Sequence, residues 1–508
     1  MGSELDSYYR ELIVAIYKGM PDYLDSPPYN PSGRYPEYDI NLGISNAPNP
    51  AYEGVRSCLR LLGLDKKNYG TPDWNPLSEF IKPGHRVVIK PNFVLSDHYE
   101  GGNLFSIITH PSIIRAVVDY AFKAIKGDGE IIIADAPQMD CNFEQLLDRT
   151  KLTSIQELYW DKYRFELRIL DLRDFWLERC EGMVAATLDR RHKLPGDPEG
   201  SVVVNLGRKS AFYGLKSDRF YGADYNRDET IKHHTGERQE YMVSKTILRA
   251  DVLISVPKLK VHKKVGVTLN AKGFVGINTN KNYIVHYTLG TPEEGGDQFP
   301  PGFLKGKAKL RVKLQRFLYD LLLARKNPIT DRVYEFIHKT AKVLIRPFFR
   351  GVDTREIGLY DGGNWYGNDS AWRMVSDLMK IALYADKNGR LADVPQRRIF
   401  SIVDGIIGGE NNGPLTPDEK RCGVVIAGFN PLAVDIVGIR LMGFDWTRLK
   451  WVTDLLKNKY FNFFINDISD IKIMTDASEF QGMFSDNSVL LGFKPHPGWR
   501  GYVELSQE

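Results

Sequence analysis

An α/β fold with a mainly parallel or mixed central sheet, helices on both faces and an inserted basic helical segment is what this chain of 508 residues predicts. Three observations carry that prediction. Short apolar, β-branched runs recur at 86–90, 130–134, 252–256 and 398–403, the pattern of strands buried on both faces. The first two flank a helical repeat through Ile114, Val117, Val118, Ala121 and Ile125, which makes a βαβ unit. Each run then ends in a lysine, an aspartate or a glycine-bearing stretch, and the carboxyl ends of such strands are where an open α/β sheet keeps its ligand.

Composition bounds the rest. Hydrophobic residues make up 43% and charged residues 26%, ordinary for a globular chain, and the length allows two or three domains. Changes in character suggest a helical and Pro-rich extension over 1–80, a first part of the α/β core over 81–300, an inserted helical region over 301–395, and the second part of the core with a tail over 396–508. A net charge of +4 is too small for global attraction to nucleic acid, so no such partner is expected. Cys58, Cys141, Cys180 and Cys422 lie far apart without a CxxC pair, which fits reduced thiols in a cytoplasmic protein better than a disulfide framework or a zinc ribbon. The first twenty residues carry acidic side chains where a signal peptide wants basic ones, and no run is long enough to span a bilayer.

Taken in order, residues 1–20 place Leu12, Ile13, Ile16 and Tyr17 at helical spacing and predict an amphipathic helix. Pro27, Pro28, Pro31 and Pro36 make a turning connector, and a second helix is expected over 52–62. The strand 86–90 ends in Lys90-Pro91-Asn92, and a lysine at a buried strand end needs an anionic partner, from the protein or from a ligand. Thr109-His110-Pro111 reads as the start of a helix, with Thr109 as cap and amides that suit a phosphate or carboxylate. Strand 130–134 brings Asp135 to the same edge as Lys90. A helix is expected over 143–158, strands over 165–172 and 202–204, and a helix over 241–248. Adjacent His233 and His234 lack metal-site spacing, so His234 is expected to face solvent or substrate.

Residues 250–276, ADVLISVPKLKVHKKVGVTLNAKGFVG, are the centre of the chain. Pro257 closes the strand, and Lys258, Lys260, His262, Lys263 and Lys264 follow at once. Gly266, Thr268, Asn270, Lys272, Gly273 and Gly276 then allow backbone and hydroxyl groups to come close to a ligand. The competing reading is a solvated basic loop.

Residues 281–300 form a polar, turn-rich stretch with His286, Glu293, Glu294 and Asp297, expected to be a lid or ligand loop. Residues 305–350 carry thirteen Lys or Arg against three acidic residues. Leu310, Leu314, Phe317, Leu318 and Leu321 form one stripe there, and Val333, Phe336, Ile337 and Leu344 another, so two basic amphipathic helices parted at Asn327-Pro328 are predicted. They either contact an anionic membrane peripherally or pack on the core with their charges in water. In DGGNWYGNDSAWR, residues 361–373, Asp369 or Ser370 is expected to cap a helix, and Asn364 beside tryptophan suits a sugar hydroxyl. Strand 398–403 ends in Asp404-Gly405, and Gly408, Gly409 and Gly413 predict a loop able to nest an anion. That loop leads into a strand at 423–427, not into the helix a dinucleotide fingerprint requires. Asp435 within the apolar face of the helix after Asn430-Pro431 needs a partner, for which a lysine is expected.

Four of these stretches carry a resemblance. PKLKVHKKVGVTLNAKGFVGI resembles the "PKLKTH...GVT...KN..G" signature of the family known as domain of unknown function 362, departing from it at Gly273, where an Asn commonly follows the Lys. VVIKPNFV with the later Thr109-His110-Pro111, IVDGIIGGENNGP at 402–414 and NPLAVDIVGIRLMG at 430–443 resemble the same family in the same order, and 361–373 is similar to its longer members. Some relatives add a ferredoxin module, but its closely spaced thiolates are lacking here, so no iron–sulfur cluster is expected.

The expected site gathers these residues at the sheet edge. Lys90, Asn92, Thr109, Lys258, Lys260, Thr268, Lys272, Asn364 and the backbone at Gly405, Gly408 and Gly413 would hold a small phosphorylated, carboxylate or sugar-containing ligand. His262 would be acid or base, with Asp135 or Asp404 orienting it or holding a divalent metal. An enzyme of acid–base or group-transfer chemistry is the first expectation. A noncatalytic ligand-binding or scaffold protein held at a membrane by 305–350 is the second, and a redox-associated protein the third.

Overall fold

The computed structural model describes residues 2–178, 191–223, 227–323, 327–344, 348–485 and 490–505, so Cys180 lies outside the described residues. The elements that position the site begin with helix α1 (Gly2–Tyr9), strand β1 (Ile13–Lys18) and helix α2 (Pro50–Leu61). β2 (Arg86–Pro91), α3 (Pro111–Ile125), β3 (Glu130–Asp135) and β4 (Leu167–Asp171) follow. β5 (Val252–Val256), β6 (Lys258–His262), α4 (Leu269–Gly273), α5 (Gly306–Leu318), α6 (Pro328–Leu344) and α7 (Ala371–Tyr384) form the middle of the chain. β7 (Arg398–Glu410), β8 (Asp418–Gly428), α8 (Pro431–Met442) and β9 (Lys472–Thr475) complete the list.

The central sheet is mixed, in the order β9-β1-β8-β7-β5-β2-β3-β4. β7, β5, β2, β3 and β4 run parallel, whereas β8 lies antiparallel between β7 and β1. Alternation along β5 supplies both faces: Leu253 with Val88 enters one apolar core, and Val252 and Ile254 with Val87 and Ile89 enter the other. Helices α4, α7 and α8 cover the first face and α2 and α3 the second. Each fully buried Ile, Leu or Val contributes about 1.5–3 kcal/mol, so strands apolar on both sides are stable only between two helical layers.

Several local expectations are corrected. Within 1–20 the helix stops at Tyr9 and residues 13–18 form a strand, because Val14 and Ile16 enter one core and Ala15 the other, a period of two. The helix expected over 143–158 is two helices, Phe143–Thr150 and Thr153–Tyr163, parted at Lys151, whose φ is 49°. Residues expected as the helix 241–248 give strand Arg238–Ser244 and then one helical turn, Lys245–Leu248, capped by Ser244. Pro257 does not end the sheet: β6 resumes at Lys258 and pairs with β7. Gly405, Gly408 and Gly409 lie inside the strand β7, not in an anion-nesting loop. The glycine at 413 has a steric cause, since a Cβ there would stand 2.3 Å from the Val261 carbonyl oxygen.

One buried aspartate and one buried asparagine close helix starts. Asp435 of α8 accepts from the Asn270 backbone and side-chain N–H groups at 2.8 Å each and from the Ala271 N–H at 2.9 Å, so its partner is the start of α4 and not a lysine. Ahead of α7 neither Asp369 nor Ser370 caps: Asn368 Oδ1 accepts from the Ser370 and Ala371 N–H groups.

Candidate functional site: a cationic cavity

A cavity of about 430 Å³ opens at the carboxyl ends of β2 and β3, beside β6. It is built from stretches drawn from many parts of the chain. Asn92 and Val94 follow β2, Asp135 to Asp140 end and follow β3, and Lys260, His262, Lys263 and Lys264 come from β6 and its exit. Thr268, Lys272, Gly273, Val275 and Gly276 add the far wall, and Lys281, Ile284, His286 and Tyr287 come from the loop expected as a ligand loop. Arg316 enters from α5 and Pro414 with Leu415 from the turn between β7 and β8.

Period-two alternation explains β6. Leu259 and Val261 enter the apolar core, which turns Lys258, Lys260 and His262 to the other face. The register on β7 then separates their fates. Lys258 stands opposite Asp404 and Lys260 opposite Gly409, with a bulge between. Lys258 Nζ donates to Asp404 Oδ2 at 3.0 Å and to the Tyr23 hydroxyl at 2.7 Å, and the Lys258–Asp404 pair is wholly buried. Asp404 also accepts from the Tyr23 hydroxyl at 2.5 Å and from the His110 N–H at 2.9 Å. The His110 amide at the start of α3, in the stretch expected to hold a ligand anion, thus faces the protein's own carboxylate. Asp404 and Lys258 do not line the cavity, contrary to the expected position, because the register closes them on each other.

Lys90, Thr109, Gly405, Gly408, Gly413 and Asn364 are likewise outside its walls. Lys90 Nζ donates to Asp135 Oδ1 at 2.9 Å behind the wall at Gly276, where any Cβ would stand 1.9 Å from that oxygen. Thr109 donates to the Val256 carbonyl and receives the Asn92 N–H, fastening the ends of β2 and β5 together. Asn364 belongs to the stretch 361–373, which braces the ligand loop: Trp365 donates to the Asp297 carbonyl, and Asn368 Nδ2 donates to the His286 carbonyl. His234 is buried against the Tyr283 carbonyl and Gln239, not facing solvent or the cavity.

Of the expected residues, the structure brings together Asn92, Asp135, Lys260, His262, Thr268 and Lys272. Lys263, Lys264, Lys281, His286, Arg316 and Asp140 complete the charged wall. The lysines and the histidine of the signature and loop were visible as residues, but no spacing rule ties 281 or 286 to 260. Arg316 had no distinguishing signal among its basic neighbours.

The cavity is strongly electropositive. Lys260, Lys263, Lys264, Lys272, Lys281 and Arg316 face two carboxylates, and both carboxylates are engaged. Asp135 Oδ1 holds Lys90 and its Oδ2 accepts from the Phe93 N–H, while Asp140 accepts from Tyr99 and Gln138. Lys260 Nζ donates to the Ile107 and Pro414 carbonyls, and Lys281 Nζ to those of Ala136 and Asn278. Among the described residues, the Lys263 and Lys272 ammonium groups have no hydrogen-bond or ion-pair partner, and the buried Thr268 hydroxyl has none. Arg316 donates to Asp361 and stacks against Tyr221 and Tyr287.

Burial and mutual repulsion lower the proton affinity of these groups. Burial, and next to it the cations Lys90 for Lys272 and Lys263 for Lys264, bring Lys272 down to about 8 and Lys264 to about 7. Burial also brings Lys281 to about 7, against the pull of Asp135. His262 lies well below its ordinary value through burial and then Lys272, Lys260, Lys264 and Lys263. Its Nδ1 accepts from the Lys264 N–H at 3.1 Å, so the neutral ring carries its proton on Nε2. His286 is lowered for the same reasons, burial first and then Lys264 and Lys272.

Among the described residues no group of three or more His, Cys, Asp or Glu side chains is placed to hold a metal ion. The fold and the cavity define an α/β protein with a cavity lined by cationic side chains at its sheet edge. Within that class, residues 193–440 match the family described as Domain of unknown function (DUF362). That segment contributes every cavity lysine, both histidines and Arg316, while Asn92, Asp135 and Asp140 lie before it. No curated protein and no solved structure matches the chain.

Proposed function

We propose that this protein is a cytoplasmic enzyme that takes a small polyanion, bearing phosphate or carboxylate groups, into the cavity and carries out proton or group transfer on it. One observation carries the reading: six cationic side chains surround about 430 Å³ while, among the described residues, the two carboxylates in its wall are already hydrogen-bonded. Lys263 and Lys272, half-buried and without a protein partner among the described residues, are the cations that a ligand anion would complete. Met139, Leu177, Val275, Ile284 and Leu415 form apolar parts of the wall, which suits a substrate with a hydrocarbon or aromatic portion beside its charges.

The roles follow from protonation. Lys263 and Lys272 hold the anion, and the Thr268 hydroxyl hydrogen-bonds it. Neutral His262 donates from Nε2 to an oxygen on which charge develops, as a fixed dipole does in an oxyanion site. Lys264 and Lys281, each near 7, exchange protons at neutral pH. Asp135 and Asp404 are anchors of Lys90 and Lys258 in this reading and not the base.

The test is titration calorimetry with pyrophosphate and citrate at neutral pH, together with mass spectrometry of small molecules released from the purified protein. Saturable binding weakened at least about tenfold by Lys272→Ala supports the proposal, at the worth of one charge-assisted hydrogen bond. Absence of both binding and a co-purified anion overturns it. Once a substrate is in hand, His262→Gln separates catalysis from mere binding: lost turnover with retained affinity marks an enzyme, and unchanged turnover removes His262 from the mechanism.

A further inference from the structure

We infer that helices α5 and α6 form a docking surface for an anionic lipid bilayer. α5 divides into two sides. Val312, Arg316 and Tyr319 turn inward, whereas Leu310, Leu314 and Phe317, spaced i, i+4, i+7, turn outward, with Phe317 60% exposed. α6 repeats the device: Tyr334 is buried, and Ile329, Val333 and Phe336 at the same spacing are exposed, Ile329 and Phe336 to 71% each. The two helices pack on each other through a small core of Tyr319, Leu322 and Tyr334 with Leu318 and Ile337, so the outward stripes are not left over from a missing mutual contact. Large apolar side chains exposed in two ordered rows mark an interaction surface.

Charge selects the occupant. Residues 305–350 hold thirteen Lys or Arg against three acidic residues. Two of those acids are spent inside the protein, Asp320 on Arg227 and Asp331 in burial. On a helical projection Lys307 and Arg311 flank the α5 stripe on one side and Lys313, ion-paired with Glu294, on the other, so the cationic flank offered to a headgroup layer is that of Lys307 and Arg311. A second copy of this chain meets the same face with the same sign of charge, which opposes self-association. Among the described residues no helix is long and apolar enough to cross a membrane, so the surface rests on the bilayer and does not span it.

The inference does not depend on the chemistry of the cavity. Its test is co-sedimentation of the full chain with vesicles of phosphatidylcholine alone or with a third phosphatidylglycerol. Tighter binding to the anionic vesicles by at least about tenfold is expected, falling with salt. Leu314→Ser with Phe317→Ser should lower it at least about tenfold with an unchanged melting temperature, because both side chains are exposed. Lys307→Glu with Arg311→Glu should remove the preference for anionic lipid. Failure to bind at low salt overturns the inference, as does binding indifferent to both pairs of substitutions. A concentration-dependent dimer abolished by Phe317→Ser overturns it too, since the stripe would then belong to a second copy.

Discussion

Lys258 and Lys272 lie fourteen positions apart in one signature, yet their surroundings are opposite. Lys258 is sealed from water, paired with Asp404 and Tyr23, and faces no cavity. Lys272 stands in a cavity wall with no protein partner among the described residues, its proton affinity lowered to about 8. A charge closed by the protein fixes architecture, here the register of β6 on β7. A charge left open fixes what can enter.

The largest effect should come from breaking the closed pair. Asp404→Ala leaves the Lys258 ammonium buried without its carboxylate and should cost about 3–5 kcal/mol in urea unfolding. Lys272→Met, at the open position, should leave the ligand-free protein at least as stable as the wild type at neutral pH, since it removes a cation that folding disfavours. Equal losses at the two sites would erase the distinction.

The next effect is on pH. Lys264, Lys272 and Lys281 have folded-state values of about 7, 8 and 7, below the ordinary lysine value of about 10.4. Between those limits the unfolded chain binds more protons, so their contribution makes stability rise with pH from about 7 to about 10. Melting temperatures followed across that range should rise in the wild type, and less steeply in Lys272→Met with Lys281→Met. A ligand anion favours the charged lysines, so its binding should take up protons at about pH 8 and weaken above it. Calorimetry in buffers of different ionisation enthalpy measures that uptake.

The smallest effect should be at Thr268. Replacing its unpartnered hydroxyl by Thr268→Val should leave stability within about 0.5 kcal/mol and weaken pyrophosphate binding about threefold to tenfold. Unaltered affinity would show that the hydroxyl does not touch the anion.

The α/β class and the parallel strands were legible because the middle of a strand buried on both faces must be apolar, as 87–89, 131–134 and 252–254 are. The same property misled at 13–18, where a strand between two cores has no polar face to betray its period. Asn92, Asp135, Lys260, His262, Thr268 and Lys272 were legible because strand ends and a local signature bring them to one edge. Asp404 sits at a comparable point in sequence, but the bulged register of β6 on β7 sets it opposite Lys258 in a buried pair, and no pattern of residue types encodes that register. Arg316 reaches the cavity from a separate helix, a placement set by tertiary packing alone.

Arg316 joins the two surfaces of this molecule. It leaves α5 on the side away from Leu314 and Phe317, and its guanidinium lies 5.3 Å from the Tyr221 ring and 5.6 Å from the Tyr287 ring at the cavity wall. A helix that carries grease outward and a cation inward transmits any roll or shift of its axis to the field its guanidinium casts. Were a bilayer and an anion to occupy the two surfaces as proposed, this one side chain would be the link between them.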